Sequence, residues 1–363
     1  DLVRSRGLGD VYKRQIIFDF LIKSPLLCSK IAFQQRKDME TIPIFFTFDR
    51  YYVLAACVAF HSLLTNAAPE YQYQLYVVHT DLQPHHIQRI KKVVSHFHNA
   101  NIQFKNASHY DTAWDKLRNK SHFSKEIFYK LTAAEMFPQY ERILFSDVDV
   151  LFTADISSSF FLYPNEKFYY AGTRPIQENT NLPRYAKEFT QEEIRLISDY
   201  EISAGYMLIN LKCIREDNKQ IELTQFFHNN LNRLILPEQD CIALCCAPYL
   251  RFMPYKYVVC AFQFHEDPQR VKFNPNNASF QDKQVAIKAY NEMREQVVQL
   301  HYPGREKPWN SPFVYKYKEW LTGCHQANQL GYYLLMQPLF FTQRLKKYSL
   351  SRFIRKIKKK YHG

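Results

Sequence analysis

Glycine is scarce, at 8 of 363 residues. No GxGxxG turn follows the first apolar segment, and there is no GxxxxGK[ST] loop. A diphosphate ligand would therefore be neutralised mainly by metal and cationic side chains, not by a glycine-lined cradle of backbone N–H groups. Uninterrupted apolar runs of about 18 residues are also lacking, which argues against a spanning helix. None of the eight cysteines (Cys28, Cys57, Cys213, Cys241, Cys245, Cys246, Cys260 and Cys324) forms a CxxC pair. No disulfide framework is expected in a chain of this size; they read as mostly buried thiols in a reducing cytoplasm, with zinc at Cys241, Cys245 and Cys246 a lesser alternative. Low-complexity tracts are missing too, and a hydrophobic share of 46% with 16% aromatics supports a packed α/β body.

The first fifteen residues, "DLVRSRGLGDVYKRQ", carry no helical or strand pattern, resemble translated adapter sequence and lack the order of a signal peptide. Met39 is a credible native start, so residues 1–38 are expected to be an extension, 39–310 the functional domain and 311–363 a helical C-terminal segment. From "IPIFFTF" onward, strands alternate with helices. "YYVLAACVAFHSLLTNA" reads as an apolar helix, "YQLYVVHT" as a strand, "QPHHIQRIKKVVSHF" as an amphipathic helix and "NIQFKN" as a third strand. "SKEIFYKLTAAEMFP" reads as a helix stopped by Pro138, and "RILFSDVDVLF" as the next strand. Such alternation predicts a mostly parallel, twisted sheet with helices on both faces and ligands at the carboxyl ends of its strands.

Asp49 and the pair Asp147/Asp149 fall at those ends. Read as one strand, "DVD" aims both carboxylates at a single spot. Like charges so placed call for a metal ion, an Arg or Lys, or solvent between them. Magnesium and manganese suit such hard oxygen donors and are often shared with substrate phosphates, which favours a metal–diphosphate site. Asp49 alone reads equally as a helix cap. In "QLHYPGREKPWNSP" the prolines and Gly304 exclude a regular helix. There His301 can complete a metal site and Lys307 can meet a phosphate, or the stretch is a surface loop with an incidental histidine.

Five ordered blocks extend these signals: "FTFDRYYVLAACVAFHSLL", "FYKLTAAEMFPQYERILFSDVDVLF", "ISAGYMLINLKCIRE", "LPEQDCIALCC" and "HYPGREKPW". Together, over roughly Ile42 to Trp309, they resemble the retaining glycosyltransferases of family 8, particularly the bacterial lipopolysaccharide glucosyl- and galactosyltransferases, with glycogenin a distant relative. The resemblance implies a GT-A-type fold and transfer of a hexose from a UDP-sugar with Mn²⁺, or Mg²⁺ in its place. It implies that Asp49 and Tyr52 meet the nucleoside, that Tyr51 belongs to the donor-sugar site, that Asp147, Asp149 and His301 hold the metal, and that Gly304 and Lys307 contact the phosphates. Lys130 stands where the family usually has Arg, near the donor sugar and its phosphates; the exchange keeps the charge and loses the bidentate fork. Ser203 stands where most members have Asn, beside Ala204 at the hexose. Tyr51 also replaces a frequent Asn, and Glu238 the usual Asp. Gln239 falls where a retaining enzyme's nucleophile would sit, yet a neutral amide is a poor nucleophile, which favours front-side displacement. Glu238 and Asp240 would then contact sugar hydroxyls. Alternatives are a UDP-sugar-binding scaffold without turnover and a glycogenin-like self-glucosylating enzyme.

The formal charge of +13 concentrates at the end of the chain. Nine basic residues lie between Arg344 and Lys360 with no acid among them, and Leu350, Phe353, Ile354, Ile357 and Tyr361 recur at helical spacing. The pattern predicts a helix lying on an anionic membrane, here the inner face of the plasma membrane, in preference to nucleic-acid binding. A lipid-linked saccharide acceptor would give that attachment a use.

Overall fold

A computed structural model describes residues 39–110, 125–276 and 280–347. Its larger sheet has seven strands in the order β3-β2-β1-β4-β7-β6-β8: β1 Glu40–Thr47, β2 Tyr71–His79, β3 Ala100–Asn106, β4 Arg142–Ser146, β6 Tyr170–Thr173, β7 Tyr206–Asn210 and β8 Leu250–Met253. Only β7 runs against the others, so the expected mostly parallel sheet is found. A second, three-stranded sheet, β5-β10-β9, combines β5 Val150–Phe152, β9 Val259–Cys260 and β10 Gln299–His301. The helices of ten residues or more are α1 Val53–Thr65, α2 Pro84–Val94, α3 Gln191–Tyr200, α4 Lys219–Asn230, α5 Pro237–Cys246, α6 Lys283–Glu295, α7 Tyr317–Gln326 and α8 Leu330–Lys347.

Both faces of the large sheet are buried, which explains why its strands read as continuous apolar runs. Phe45, Phe145, Met207 and Ile209 pack into one core; Ile44, Phe46, Leu144 and Leu208 pack into the other. α1 is apolar nearly all round because it is covered twice. Ala56, Cys57 and Phe60 face the sheet, while Leu54, Ala55 and Val58 meet Trp309 and Trp320 from the C-terminal side. A Cβ at Gly323 of α7 would lie 2.7 Å from Leu151 Cδ1 and 3.3 Å from Val58 Cγ1, so a larger residue would require the packed side chains to move. Residues 317–340 thus belong to the packed body.

Two expectations need correction. "SKEIFYKLTAAEMFP" is not one helix: Lys125–Lys130 forms a 3₁₀ segment, and a short α turn, Ala133–Met136, follows a break. The break leaves Lys130 buried at the site described below. "RILFSDVDVLF" is not one strand either, because β4 and β5 belong to different sheets and Asp147–Asp149 spans the gap. The basic stripe from Leu350 to Tyr361 and the N-terminal extension lie outside the described residues.

Candidate metal and donor site

The crossing between sheets builds the centre. Asp147 N–H donates to Gly205 O at 3.0 Å, which ties Asp147 to the large sheet. Asp149 O accepts from Tyr302 N–H at 2.9 Å, and His301 pairs with Val150, which ties Asp149 and His301 to the small one. The carboxylates therefore converge from a bend between sheets and not from one strand face. His301 Nε2 lies 3.8 Å from Asp147 Oδ2 and 3.4 Å from Asp149 Oδ1. One ligand atom from each of the three falls within 4.8 Å of the others, the one such group among the described residues. Two carboxylate oxygens and an imidazole at this spacing fit a divalent ion bound at about 2.0–2.3 Å. Gly205 makes room for it: a Cβ there would come within 3.0 Å of His301 Cε1 and 3.4 Å of Asp147 Oδ2.

Two lysines balance the acids. Lys307 Nζ bonds Asp149 Oδ2 and also donates to Tyr302 O at 2.7 Å. Lys130 Nζ donates to Ala204 O at 3.1 Å and to Glu238 Oε1 at 3.2 Å, and stands 3.4 Å from Asp147 Oδ1. Burial by itself would raise the Asp149 carboxyl pKa, but His301 and Lys307 reverse this and hold it well below the carboxylate range. Asp147 shifts the other way. Burial raises it, the Asp149 charge adds, and Lys130 offsets only part. Burial pulls Lys130 down, yet Asp147 and Glu238 outweigh it and its pKa rises. Both acids thus already meet cationic partners, as the sequence required.

The remaining expected residues divide into those that line this centre and those that hold it. Gln239, on α5, donates Nε2 to Ile202 O at 3.0 Å, which fixes it against the Ile202–Gly205 strip carrying Ser203 and Ala204. Ser203 N–H donates in turn to Thr173 O at 2.8 Å. Asp240 points inward. Its Oδ1 accepts from Tyr185 OH at 2.5 Å, and its Oδ2 accepts from Ile235 N–H and Leu236 N–H at 2.7 and 2.9 Å. Three donors and near-complete burial make it a brace at the start of α5. Asp49 caps a 3₁₀ turn through Tyr51 N–H at 2.9 Å, the cap reading that the sequence left open. Tyr52 meets Trp309 edge-to-face at 5.5 Å, linking the first and last of the five blocks. Tyr51 is half exposed beneath the Arg50 guanidinium. Gly304 takes φ +89° with open space around it, a bend that a side chain would strain.

Sequence reasoning missed Gly205, Ser146, Gln299 and Glu201. Ser146 and Gln299 carried a signal, being polar residues at the ends of apolar strands; Glu201 carried none.

Fold and centre together define a glycosyltransferase. The chain belongs to glycosyl transferase family 8, whose family model matches residues 43–312. General stress protein A of Bacillus subtilis (strain 168) is 24% identical over 268 residues, which is 72% of this chain and 84% of that protein. The fold is similar to the apo structure of the bifunctional glycosyltransferase WbbM, with TM-score 0.66, 17% identity and 82% of this chain covered. The chain spans about half, 52%, of WbbM. It is also similar to the galactosyltransferase LgtC solved with donor and acceptor sugar analogues, with TM-score 0.56, 16% identity, 78% of this chain and 95% of LgtC. These likenesses place the mixed α/β architecture among GT-A glycosyltransferases.

Proposed function

We propose that the protein transfers a hexose, glucose or galactose, from a UDP-sugar to a lipopolysaccharide or related lipid-linked glycan, with retention at the anomeric carbon. The observation that carries the reading is the convergence of Asp147, Asp149 and His301 between two sheets, with Lys307 and Lys130 alongside. Mn²⁺, with Mg²⁺ a substitute, suits those donors, and when bound it supplies positive charge to the departing diphosphate. Lys307, on the loop bent at Gly304, adds an ammonium for phosphate oxygens. Tyr52 and Asp49 form the nucleoside end, with Tyr51 beside them in the donor site; Ser203, Ala204 and Lys130 form the hexose end. Gln239 uses its amide N–H on Ile202, which leaves the carbonyl oxygen for the sugar as positive charge develops at the anomeric carbon. Glu238 is committed to Lys130 and Asp240 to Tyr185. Their contribution is therefore to hold the pocket, which supports front-side displacement over a carboxylate nucleophile.

Purified protein with Mn²⁺ should slowly release UDP from UDP-glucose or UDP-galactose without an acceptor, and chelation should abolish the release. Absence of hydrolysis and of metal-dependent UDP binding would sink the reading.

The membrane proposal gains support from α8. Leu334, Leu335 and Leu339 share a side and are 59%, 78% and 41% exposed. No acid follows Glu319 in the chain. No described helix is long and apolar enough to cross a bilayer. Peripheral attachment to the inner face of a plasma membrane is the proposal, and sedimentation with anionic vesicles at low and high salt tests it. Indifference to such vesicles at low salt would end it.

A further inference from the structure

Two polar side chains stand at the ends of apolar strands beside the metal centre. Ser146 is the last residue of β4 and Gln299 the first of β10, and both are fully buried. Gln299 Nε2 donates to Ser146 Oγ at 2.8 Å, and Ser146 Oγ donates to the carbonyl of Asp147 at 2.7 Å. Gln299 Oε1 meets no donor among the described residues. Burying an amide oxygen without a partner is unfavourable, and an aliphatic side chain would fill the same space without that cost. Packing alone does not account for the pair.

Its position does. The bond joins the seven-stranded sheet to the three-stranded sheet at the point where the chain crosses between them. Asp147 follows Ser146 directly. His301 stands two residues after Gln299, on the same face of β10. Asp147 is anchored in the large sheet through Gly205 O, whereas Asp149 and His301 are anchored together in the small one through Tyr302 N–H and Val150. The separation between Asp147 and the other two ligands therefore depends on how the sheets are held to each other. We infer that Gln299 and Ser146 are positioning residues, a hydrogen-bonded strut that fixes Asp147 against His301 and so sets the affinity of the centre for its divalent ion. Neither side chain is itself a ligand; each acts through the ligand next to it. The inference rests on the metal reading proposed above.

The test compares wild type with Gln299→Leu, Ser146→Ala and the double variant. Mn²⁺ affinity is measured by electron paramagnetic resonance of the free ion, with and without UDP, and the melting midpoint is measured in metal-free buffer. Each single variant should weaken Mn²⁺ binding roughly tenfold, as loss of a ligand's supporting partner does. The double variant should be no worse than the weaker single, because the two act as one unit. Metal-free melting of Gln299→Leu should stay level or rise, a result that a merely structural role would not give, whereas Ser146→Ala, which orphans the buried Gln299 amide, should melt lower. Folded variants that bind Mn²⁺ within about twofold of wild type would overturn the strut. So would losses that add in the double variant, or a fall in the metal-free stability of Gln299→Leu that tracks its fall in affinity. Should Gln299→Leu fail to fold, Ser146→Ala, which deletes one hydroxyl, decides the same question. A wild type that binds no Mn²⁺ overturns the metal centre itself and the strut with it; a wild type that binds while its variants match it overturns the strut alone.

Discussion

Two clusters of buried and half-buried carboxylates flank the Ile202–Gly205 strip, and they are neutralised in different ways. At the metal centre Asp147 and Asp149 face cations: His301, Lys307 and Lys130. At the start of α5 and beside it, Asp240 and Glu201 are hydrogen-bonded by neutral donors: Tyr185 OH, two backbone N–H groups and the Asn179 amide, which donates to Glu201 at 2.8 Å, with the Arg174 charge acting on Glu201 only weakly. The pKa shifts record the difference. Cations drive Asp149 down, whereas burial pushes Asp240 up and lifts Glu201 from 4.5 to about 7, with neighbouring Asp240 adding to the effect on Glu201. A carboxylate held by cationic side chains can share its charge with a metal ion. One held by fixed dipoles cannot, and serves the fold.

The contrast can be broken at four places. The largest effect is expected at the metal centre: Asp149→Asn should lower donor hydrolysis on the order of 10³-fold, about 4 kcal/mol, and should also lower the melting point, because buried Lys307 loses its carboxylate and the centre loses a metal ligand. Near-normal turnover would remove Asp149 from the ligand set. Next, Lys307→Met strips a buried carboxylate of its partner and should cost about 3 kcal/mol in metal-free denaturant unfolding. Mn²⁺ at a hundredfold excess over its dissociation constant should return about 2.7 kcal/mol; if it returns nothing, lysine and metal are not interchangeable here.

At the second cluster Glu201→Gln probes burial without charge compensation. Because the folded pKa lies above the unfolded value, Glu201's contribution is fully present below about pH 4.5 and is lost as pH rises through 7. The glutamine variant should therefore be more stable than wild type by about 3 kcal/mol at pH 8.5, a margin that shrinks below about 1 kcal/mol at pH 5. Equal stability at both values would mean that Glu201 is not held neutral. The smallest change is expected from Tyr185→Phe, about 1 kcal/mol by thermal unfolding, since Asp240 keeps its two backbone donors. Its kcat for donor hydrolysis should stay within severalfold of wild type. A thousandfold fall would move Asp240 from brace to catalyst.

Much of this was legible beforehand. The β1–α1–β2–α2–β3 succession follows from local patterning: apolar runs for strands buried on both faces, and a helical repeat in α2 with Pro84 at its start. Asp147, Asp149 and His301 were legible as a set because two acids in an apolar run and a histidine in a proline-bent loop are locally anomalous. Non-local pairing was not legible. Nothing in "SDVDV" says that Asp147 bonds to Gly205 of one sheet while Asp149 bonds to Tyr302 of the other, so one strand was expected where two sheets meet. Asp240 and Gln239 are neighbours in sequence and look alike in role. Only the inward turn of one toward Tyr185 and the outward position of the other separate them.

The crossing at Asp147–Asp149 also orders events in time. Gln299 and Ser146 are 153 positions apart, and Lys307 and Asp149 are 158. During synthesis both aspartates emerge long before the histidine and lysine that complete and balance them. Closing a loop of that length comes late, because its entropy is lost before any contact rewards it. Until β10 docks, the two acids remain an unfinished, solvated pair. Tight divalent-ion binding in a refolding experiment therefore marks the moment when the second sheet has closed on the first.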